Sequence, residues 1–294
     1  MTPEPRGSRL ADAAGIYSMV AVDQRESLRA MLREGTQHPV ADRELSEFKV
    51  DVARVLSPRA SGILIDVDYG LDPIVDAGAL APTCPVIVAV DRITYSPEGA
   101  TLSTAVRPEL LSRSWAPEIA GLKLLLLWTP EGWIGCSSDD VRDYIEACAD
   151  AGVDSVLEVV VRGADAQVAA PEVQAALLVE AARDLNSYRP TLYKTEVPFR
   201  AEASSAQVTA TSARITEAMD CPWVVLSSGV PAERFPLAVR DTRAGGARGF
   251  LAGRAIWGAA ARSAAAERDR LLTGPAMMAL DTLVDAAHTG AAAR

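Results

Sequence analysis

The chain has 294 residues, 49% of them hydrophobic and 23% charged, and a formal net charge of -10. That balance excludes a disordered or membrane-spanning chain, and the acidity argues against the clustered Lys and Arg that a nucleic-acid backbone requires. Four well-separated cysteines (Cys84, Cys136, Cys148, Cys221) and two histidines (His38, His288) offer neither a zinc site nor a disulfide framework, and no histidine lies near a candidate site to serve a Ser-His or Cys-His hydrolase.

In chain order, Met1 to Leu10 carries no apolar signal segment, so a cytoplasmic protein is expected. Short β-branched runs then alternate with longer alanine-rich ones, the pattern of repeated βα units on a parallel sheet. Strands are predicted at Tyr17–Val22, Gly62–Val67, Val86–Val90, Gly121–Leu127, Ser155–Val160, Thr191–Lys194, Trp223–Leu226 and Gly249–Ala252. Their near-continuous apolar character suits strands buried on both faces. Helices are predicted between them, among others at Asp42–Leu56, Ser138–Ala151, Pro171–Asn186 and Ala206–Met219. Eight such units predict α/β architecture of one kind, a single (β/α)8 TIM barrel over residues 1–294. Two extra C-terminal helices are expected, around Ala260–Leu272 and Ala276–Ala287. Asp91 to Ala120, with Ser96-Pro97, Gly99 and Arg107-Pro108, reads as a long loop with one short helix. The longest apolar run, Leu122 to Trp128, is interrupted by Lys123 and is far shorter than the ~20 residues of a membrane span.

Barrels of this kind carry their chemistry at the C-terminal ends of the strands, and polar residues recur there. Asp23 and Gln24 follow the first strand, Asp66 and Asp68 the second, and Asp91 and Arg92 the third. Lys123 lies in the fourth strand, Glu158 in the fifth, Lys194 and Glu196 in or beyond the sixth, Ser227-Ser228-Gly229 after the seventh, and Gly253-Arg254 after the eighth. Taken singly, each has a structural reading as a cap or turn residue.

The two lysines and Glu158 are the sharpest subset, because a charge in a buried strand is costly unless paired or neutral. Lys123 and Lys194 cannot both be ammonium ions at close range without a large mutual penalty, so one of them is expected to lose its proton. An amine freed in this way can attack a substrate carbonyl to form a Schiff base. Glu158 has two open roles, pairing with Lys123 or shuttling protons for Lys194. The competing reading is a purely structural Lys-Glu pair, a weak device for stability. At the last two strands, the glycines and Arg254 suit a phosphate bound by backbone N–H groups and a guanidinium fork.

Val22-Asp-Gln-Arg25, Leu192-Tyr-Lys-Thr-Glu-Val-Pro198, Leu226-Ser-Ser-Gly-Val230 and Phe250-Leu-Ala-Gly-Arg-Ala-Ile-Trp257 resemble the class I aldolases of the tagatose-1,6-bisphosphate aldolase and sulfofructosephosphate aldolase group. The likeness runs in order from about Ile16 to Gly258, with Phe48-Lys49-Val50, Ile63-Leu-Ile-Asp66 and Leu122-Lys-Leu124 adding to it. The resemblance implies that Lys194 forms the Schiff base, Glu158 is the general acid/base, Lys123 is a charged neighbour, and Asp23 with Gln24 orients the reacting hydroxyls. It further implies that Ser228, Gly229, Gly253 and Arg254 hold the phosphate of a dihydroxyacetone-phosphate moiety, with Ser227 also assigned to substrate. No metal or organic cofactor is then required.

Trp223-Val-Val-Leu-Ser-Ser-Gly229 and Phe250-Leu-Ala-Gly-Arg254 are similar to the sulfofructosephosphate branch, whereas Asp66-Val-Asp-Tyr-Gly70 is similar to the tagatose branch. Arg25, beside the catalytic aspartate, is expected to meet the second anion, with Asp66 also assigned to substrate. The expected reaction is cleavage of 6-deoxy-6-sulfofructose 1-phosphate to dihydroxyacetone phosphate and sulfolactaldehyde. The alternative is tagatose or fructose 1,6-bisphosphate cleaved to dihydroxyacetone phosphate and glyceraldehyde 3-phosphate, and a third reading is a non-catalytic sugar-phosphate-binding regulator. The expected partner is thus a small sugar phosphate rather than nucleic acid or membrane, and the group resemblance implies a homo-oligomer.

Overall fold

The computed structural model describes residues 8–36, 38–96, 101–163 and 167–289. Eight parallel strands form the barrel: β1 (Tyr17–Ala21), β2 (Gly62–Asp66), β3 (Val86–Ala89), β4 (Ile119–Thr129), β5 (Asp154–Val161), β6 (Leu192–Glu196), β7 (Trp223–Leu226) and β8 (Gly249–Ala252). Neighbours in sequence pair in parallel around the ring, and β1 pairs with β8 to close it. The (β/α)8 barrel expected from the alternating pattern is therefore the fold. Among the described residues, no helix is long and apolar enough to cross a membrane.

The period-two alternation of the strands divides the apolar side chains into two cores. One face packs outward under the helices, and the other fills the barrel's lower interior with Leu10, Tyr17, Met19, Leu64, Ile87, Val156, Leu192, Val224 and Leu251. Above that apolar plug the same inward positions become polar. Register fixes who meets whom: Ala89 lies beside Lys123, and Lys194 lies between Glu158 on β5 and Val224 on β7.

Two departures from the sequence reading affect the site. Asp91 to Ala120 contains an antiparallel hairpin, Asp91–Tyr95 against Thr101–Val106, before the short helix Pro108–Leu111. The signal for it was present, since both arms are rich in Thr, Val, Ile and Tyr and flank a Pro/Gly stretch. At the C-terminus, a helix already starts at Arg254 and ends at Arg262, where extended Ser263 breaks it. Helices Ala265–Leu271 and Met277–Thr289 follow, joined by a π-turn over Leu272–Ala276 that accommodates Pro275, which has no N–H to donate.

Candidate active site

Side chains at alternate positions of β4, β5 and β6 bring Lys123, Glu158 and Lys194 into one cluster near the top of the barrel. Lys194 Nζ lies 3.0 Å from Glu158 Oε2. Lys123 Nζ lies 2.7 Å from Asp23 Oδ2, 2.8 Å from Asp91 Oδ2 and 3.4 Å from Glu158 Oε2. Both amines are buried. Burial by itself would push the Lys123 pKa down, but the three carboxylates outweigh it and hold the group well above the ordinary lysine value. Of the two lysines, Lys123 is the one locked as a cation. Asp23 shows the converse: burial raises it, but Lys123 and Lys194 overcome that and keep its carboxyl far below the usual range.

A cavity of about 280 Å³ opens above this cluster, lined by Asp23, Gln24, Lys123, Glu158, Lys194, Ser227, Ser228, Gly253 and Arg254. Nine of the sequence-assigned residues thus share one space. Gln24 Oε1 there is buried without a hydrogen-bond partner among the described residues. Gly253 is required by a close approach, since a Cβ on it would stand 2.3 Å from Ala21 O and 3.2 Å from Gln24 Nε2. It caps the helix that begins at Arg254, so the positive end of that helix faces the cavity beside a guanidinium.

Three assigned residues do not line this cavity. Arg25 is turned into a carboxylate cluster, with Nε 3.0 Å from Asp68 Oδ2, Nη1 3.4 Å from Asp91 Oδ1 and Nη1 donating to Asp91 O at 3.0 Å. Burial lowers its pKa, but Asp91, Asp66 and Asp68 more than restore it. Asp66 is fully buried, accepts from Tyr69 N at 2.8 Å and pairs with the equally buried Lys49. Gly229 sits at φ +78° in the turn after β7, where a Cβ would meet Arg200 Cδ at 2.7 Å. The residue that holds the turn is thus distinct from the serines that face the cavity.

Several residues at the site were given no role by the sequence reading, although it noted Asp91 at a strand end and Lys49 in the resemblance. Asp91 is fully buried, accepts from Lys123 and from Leu125 N at 3.1 Å, and joins the Arg25 cluster to the amine cluster. Lys49 donates to Val22 O at 2.6 Å and to Gln24 O at 2.7 Å, clamping the chain on both sides of Asp23. Burial, the larger influence, pulls its pKa below the ordinary lysine value despite Asp66. A lysine in the buried Leu45, Phe48, Lys49, Val52 stripe of helix Asp42–Leu56 was the available signal. Ile93, Tyr95 and Thr101 of the hairpin roof the cavity, and burial pushes the Tyr95 phenol up to about 12. Arg162 lines it from the end of β5.

An amine and a carboxylate in contact, a fixed cation beside them and an anion cradle across the cavity suit addition to a carbonyl on an anionic substrate.

Comparison with known proteins agrees with this chemistry. A model of the DeoC/LacD family of aldolases matches residues 17–259. Tagatose 1,6-diphosphate aldolase 1 of Enterococcus faecalis is 28% identical over 271 residues, covering 84% of this chain and 82% of that protein. The tagatose 1,6-diphosphate aldolase of Streptococcus pneumoniae is 29% identical over 285 residues, covering 86% and 83%. Among solved structures, a protein of Corynebacterium glutamicum superposes with a TM-score of 0.61 at 16% identity, covering 98% of this chain and 94% of that one. The fructose-bisphosphate aldolase of Slackia heliotrinireducens gives 0.58 at 18% identity, covering 92% and 84%, and at these identities both speak for the barrel alone. The family match spans most of the chain, including every strand of the barrel, and the chain belongs to the DeoC/LacD family of aldolases, making it a lyase.

Proposed function

We propose that the protein is a class I aldolase that cleaves a ketohexose 1-phosphate bearing a second anionic group at its far end. The observation that carries this reading is the 3.0 Å contact between Lys194 Nζ and Glu158 Oε2 at the floor of a cavity with an anion cradle. Lys194 gives up a proton to Glu158 and attacks the ketone carbon, and Glu158 returns the proton to the departing hydroxyl, so that water leaves and a protonated imine remains. Loss of the C4 hydroxyl proton then drives cleavage of the C3–C4 bond. The bonding pair moves into the imine to give an enamine, and the C4 fragment departs as an aldehyde. Protonation of the enamine at C3 and hydrolysis of the imine release dihydroxyacetone phosphate and free Lys194.

In this reading Lys123 supports the imine chemistry by staying charged, which keeps Glu158 oriented between the two amines. Asp23 and Gln24 face the reacting hydroxyls, while Ser227, Ser228, Gly253 and Arg254 take the 1-phosphate. Arg25, Asp66 and Gly229 support these groups from behind rather than touching substrate.

The names of the curated relatives favour tagatose 1,6-bisphosphate as substrate, and fructose 1,6-bisphosphate, its C4 epimer, belongs to the same reading. A second reading, 6-deoxy-6-sulfofructose 1-phosphate, is supported by the Trp223–Gly229 and Phe250–Arg254 segments. Borohydride reduction in the presence of each ketose tests the chemistry, with the expected result a covalent adduct on Lys194 located by peptide mass. Failure of every ketose to label the protein would end the Schiff-base reading. Ranking kcat/KM across the three sugars decides the substrate.

A further inference from the structure

Arg162 is the first residue beyond β5, yet its N–H still donates to Trp128 O at 2.8 Å. The strand's alternation therefore continues, and Glu158, Val160 and Arg162 all line the catalytic cavity. At roughly 3.3 Å per residue, the backbone of Arg162 stands about 13 Å further along the wall than that of Glu158.

The guanidinium is poorly partnered where it sits. Nη1 donates to the adjoining Val161 carbonyl at 3.1 Å, and among the described residues no carboxylate comes within ion-pair distance. The nearest candidate, Glu196, accepts instead from Val161 N at 2.9 Å. Burial depresses the Arg162 pKa, the field of Glu196 opposes this in part, and Arg200 adds to the depression. A half-buried cation that faces a cavity and has no counter-ion among the described residues is costly to keep unless a further charge is supplied, and a bound anion would supply it.

The position matches what an extended ketose needs. Ser228, Gly253 and Arg254 stand at β7 and β8, and Lys194 and Glu158 at β6 and β5, so a chain anchored by its 1-phosphate and joined at its carbonyl has its remaining carbons on the β5 side. Arg25, the residue the sequence singles out for the second anion, is enclosed by Asp66, Asp68 and Asp91 and does not line this cavity.

We propose that Arg162 binds the tetrahedral anion at the far end of the substrate, phosphate or sulfonate, and thereby sets the preference for two-anion over one-anion ketoses. The proposal rests on the aldolase reading above. A guanidinium offers either group a charge-assisted, two-pronged hydrogen bond.

The test compares wild type, Arg162→Ala and Arg162→Lys on fructose 1,6-bisphosphate, 6-deoxy-6-sulfofructose 1-phosphate and fructose 1-phosphate, whose far end is neutral. In Arg162→Ala, the ratio of kcat/KM for the two-anion sugars to that for fructose 1-phosphate is expected to fall roughly 10- to 100-fold, the size of one lost charge-assisted hydrogen bond. The loss should appear mainly in KM, with Arg162→Lys recovering part of it. A fall confined to the phosphate or to the sulfonate identifies which anion the site takes, and either supports the proposal. An unchanged ratio in both variants, with the wild type still labelled by borohydride, overturns the role of Arg162 alone. A wild type that no ketose labels overturns the aldolase chemistry and this proposal with it.

Discussion

Lys123 and Lys194 share a single carboxylate oxygen, Glu158 Oε2, at 3.4 Å and 3.0 Å. The arrangement is asymmetric. Lys123 has two further carboxylates within 2.8 Å, whereas among the described residues Lys194 pairs with Glu158 alone. Lys123 is therefore held as a cation by its three carboxylates.

Replacing Glu158 with Gln keeps the shape of the site and removes the proton relay. We expect kcat to fall roughly 10²- to 10⁴-fold, the usual contribution of a positioned acid/base. Borohydride labelling of Lys194 should slow in proportion, which a time course by intact mass would follow.

Lys194→Ala should abolish cleavage and labelling while the protein stays folded, because the carboxylate it leaves behind retains Lys123 as a partner at 3.4 Å. Lys123→Met removes the cation that three carboxylates surround, and a buried charge left without its partner costs about 3–5 kcal/mol. The melting temperature should therefore drop far more in Lys123→Met than in Lys194→Ala, and thermal denaturation of the two variants side by side measures the difference.

Asp23 binds its proton more weakly in the folded protein than in the unfolded chain, so its contribution to stability is present in full above the ordinary aspartate value of ~3.9 and is lost as pH falls below it. Lys123, raised above the ordinary lysine value, contributes in full below ~10.4 and loses that contribution only at higher pH. Stability should thus be flat with respect to these two groups from about pH 5 to 9 and decline in acid. Urea midpoints between pH 7 and 3 should show a shallower acid decline in Asp23→Asn than in wild type.

Lys49 clamps Val22 O and Gln24 O, and Asp66 neutralises it. Lys49→Met alone leaves the buried Asp66 with only the more distant Arg25, at 4.0 Å, as a charged partner, with an expected loss of about 3–5 kcal/mol. The double variant Lys49→Met/Asp66→Asn should regain much of that stability. Activity should not return with it, because the backbone on either side of Asp23 is no longer held; comparing melting temperature with kcat separates the two effects.

Gly253→Ala forces a methyl group to within 2.3 Å of Ala21 O, so β1 or the helix starting at Arg254 must shift. Overpacking of this kind costs about 1–3 kcal/mol. The displaced cradle should also raise KM for the 1-phosphate, which steady-state kinetics would report.

Short, near-continuous apolar runs and helical patterning were enough to place all eight strands and four of the helices between them, because each strand is buried on both faces and each helix on one, and that burial is written into residue type. The same logic exposed Lys123, Glu158 and Lys194, which are conspicuous as charges inside apolar runs. It under-read the hairpin from Asp91 to Val106, whose arms are short and whose alternation is broken by the Pro/Gly stretch between them.

Which charges face the cavity and which serve them from behind is a different matter. Asp23 and Arg25 are two residues apart, yet one contacts Lys123 and the other is absorbed by Asp66, Asp68 and Asp91. Lys49 comes from a helix and Asp91 from the start of the hairpin that follows β3, and only closure of the barrel brings them to Asp66, Arg25 and Lys123. Local patterning records whether a side chain is buried, but pairing between charges depends on distances of a few ångströms set by register and ring closure. The sequence alone determined the barrel and the charges set into its apolar strands; the tertiary structure decided that Lys123 is held as a cation by three carboxylates, that Arg25 is enclosed, and that Arg162 lines the cavity with no carboxylate among the described residues within ion-pair distance.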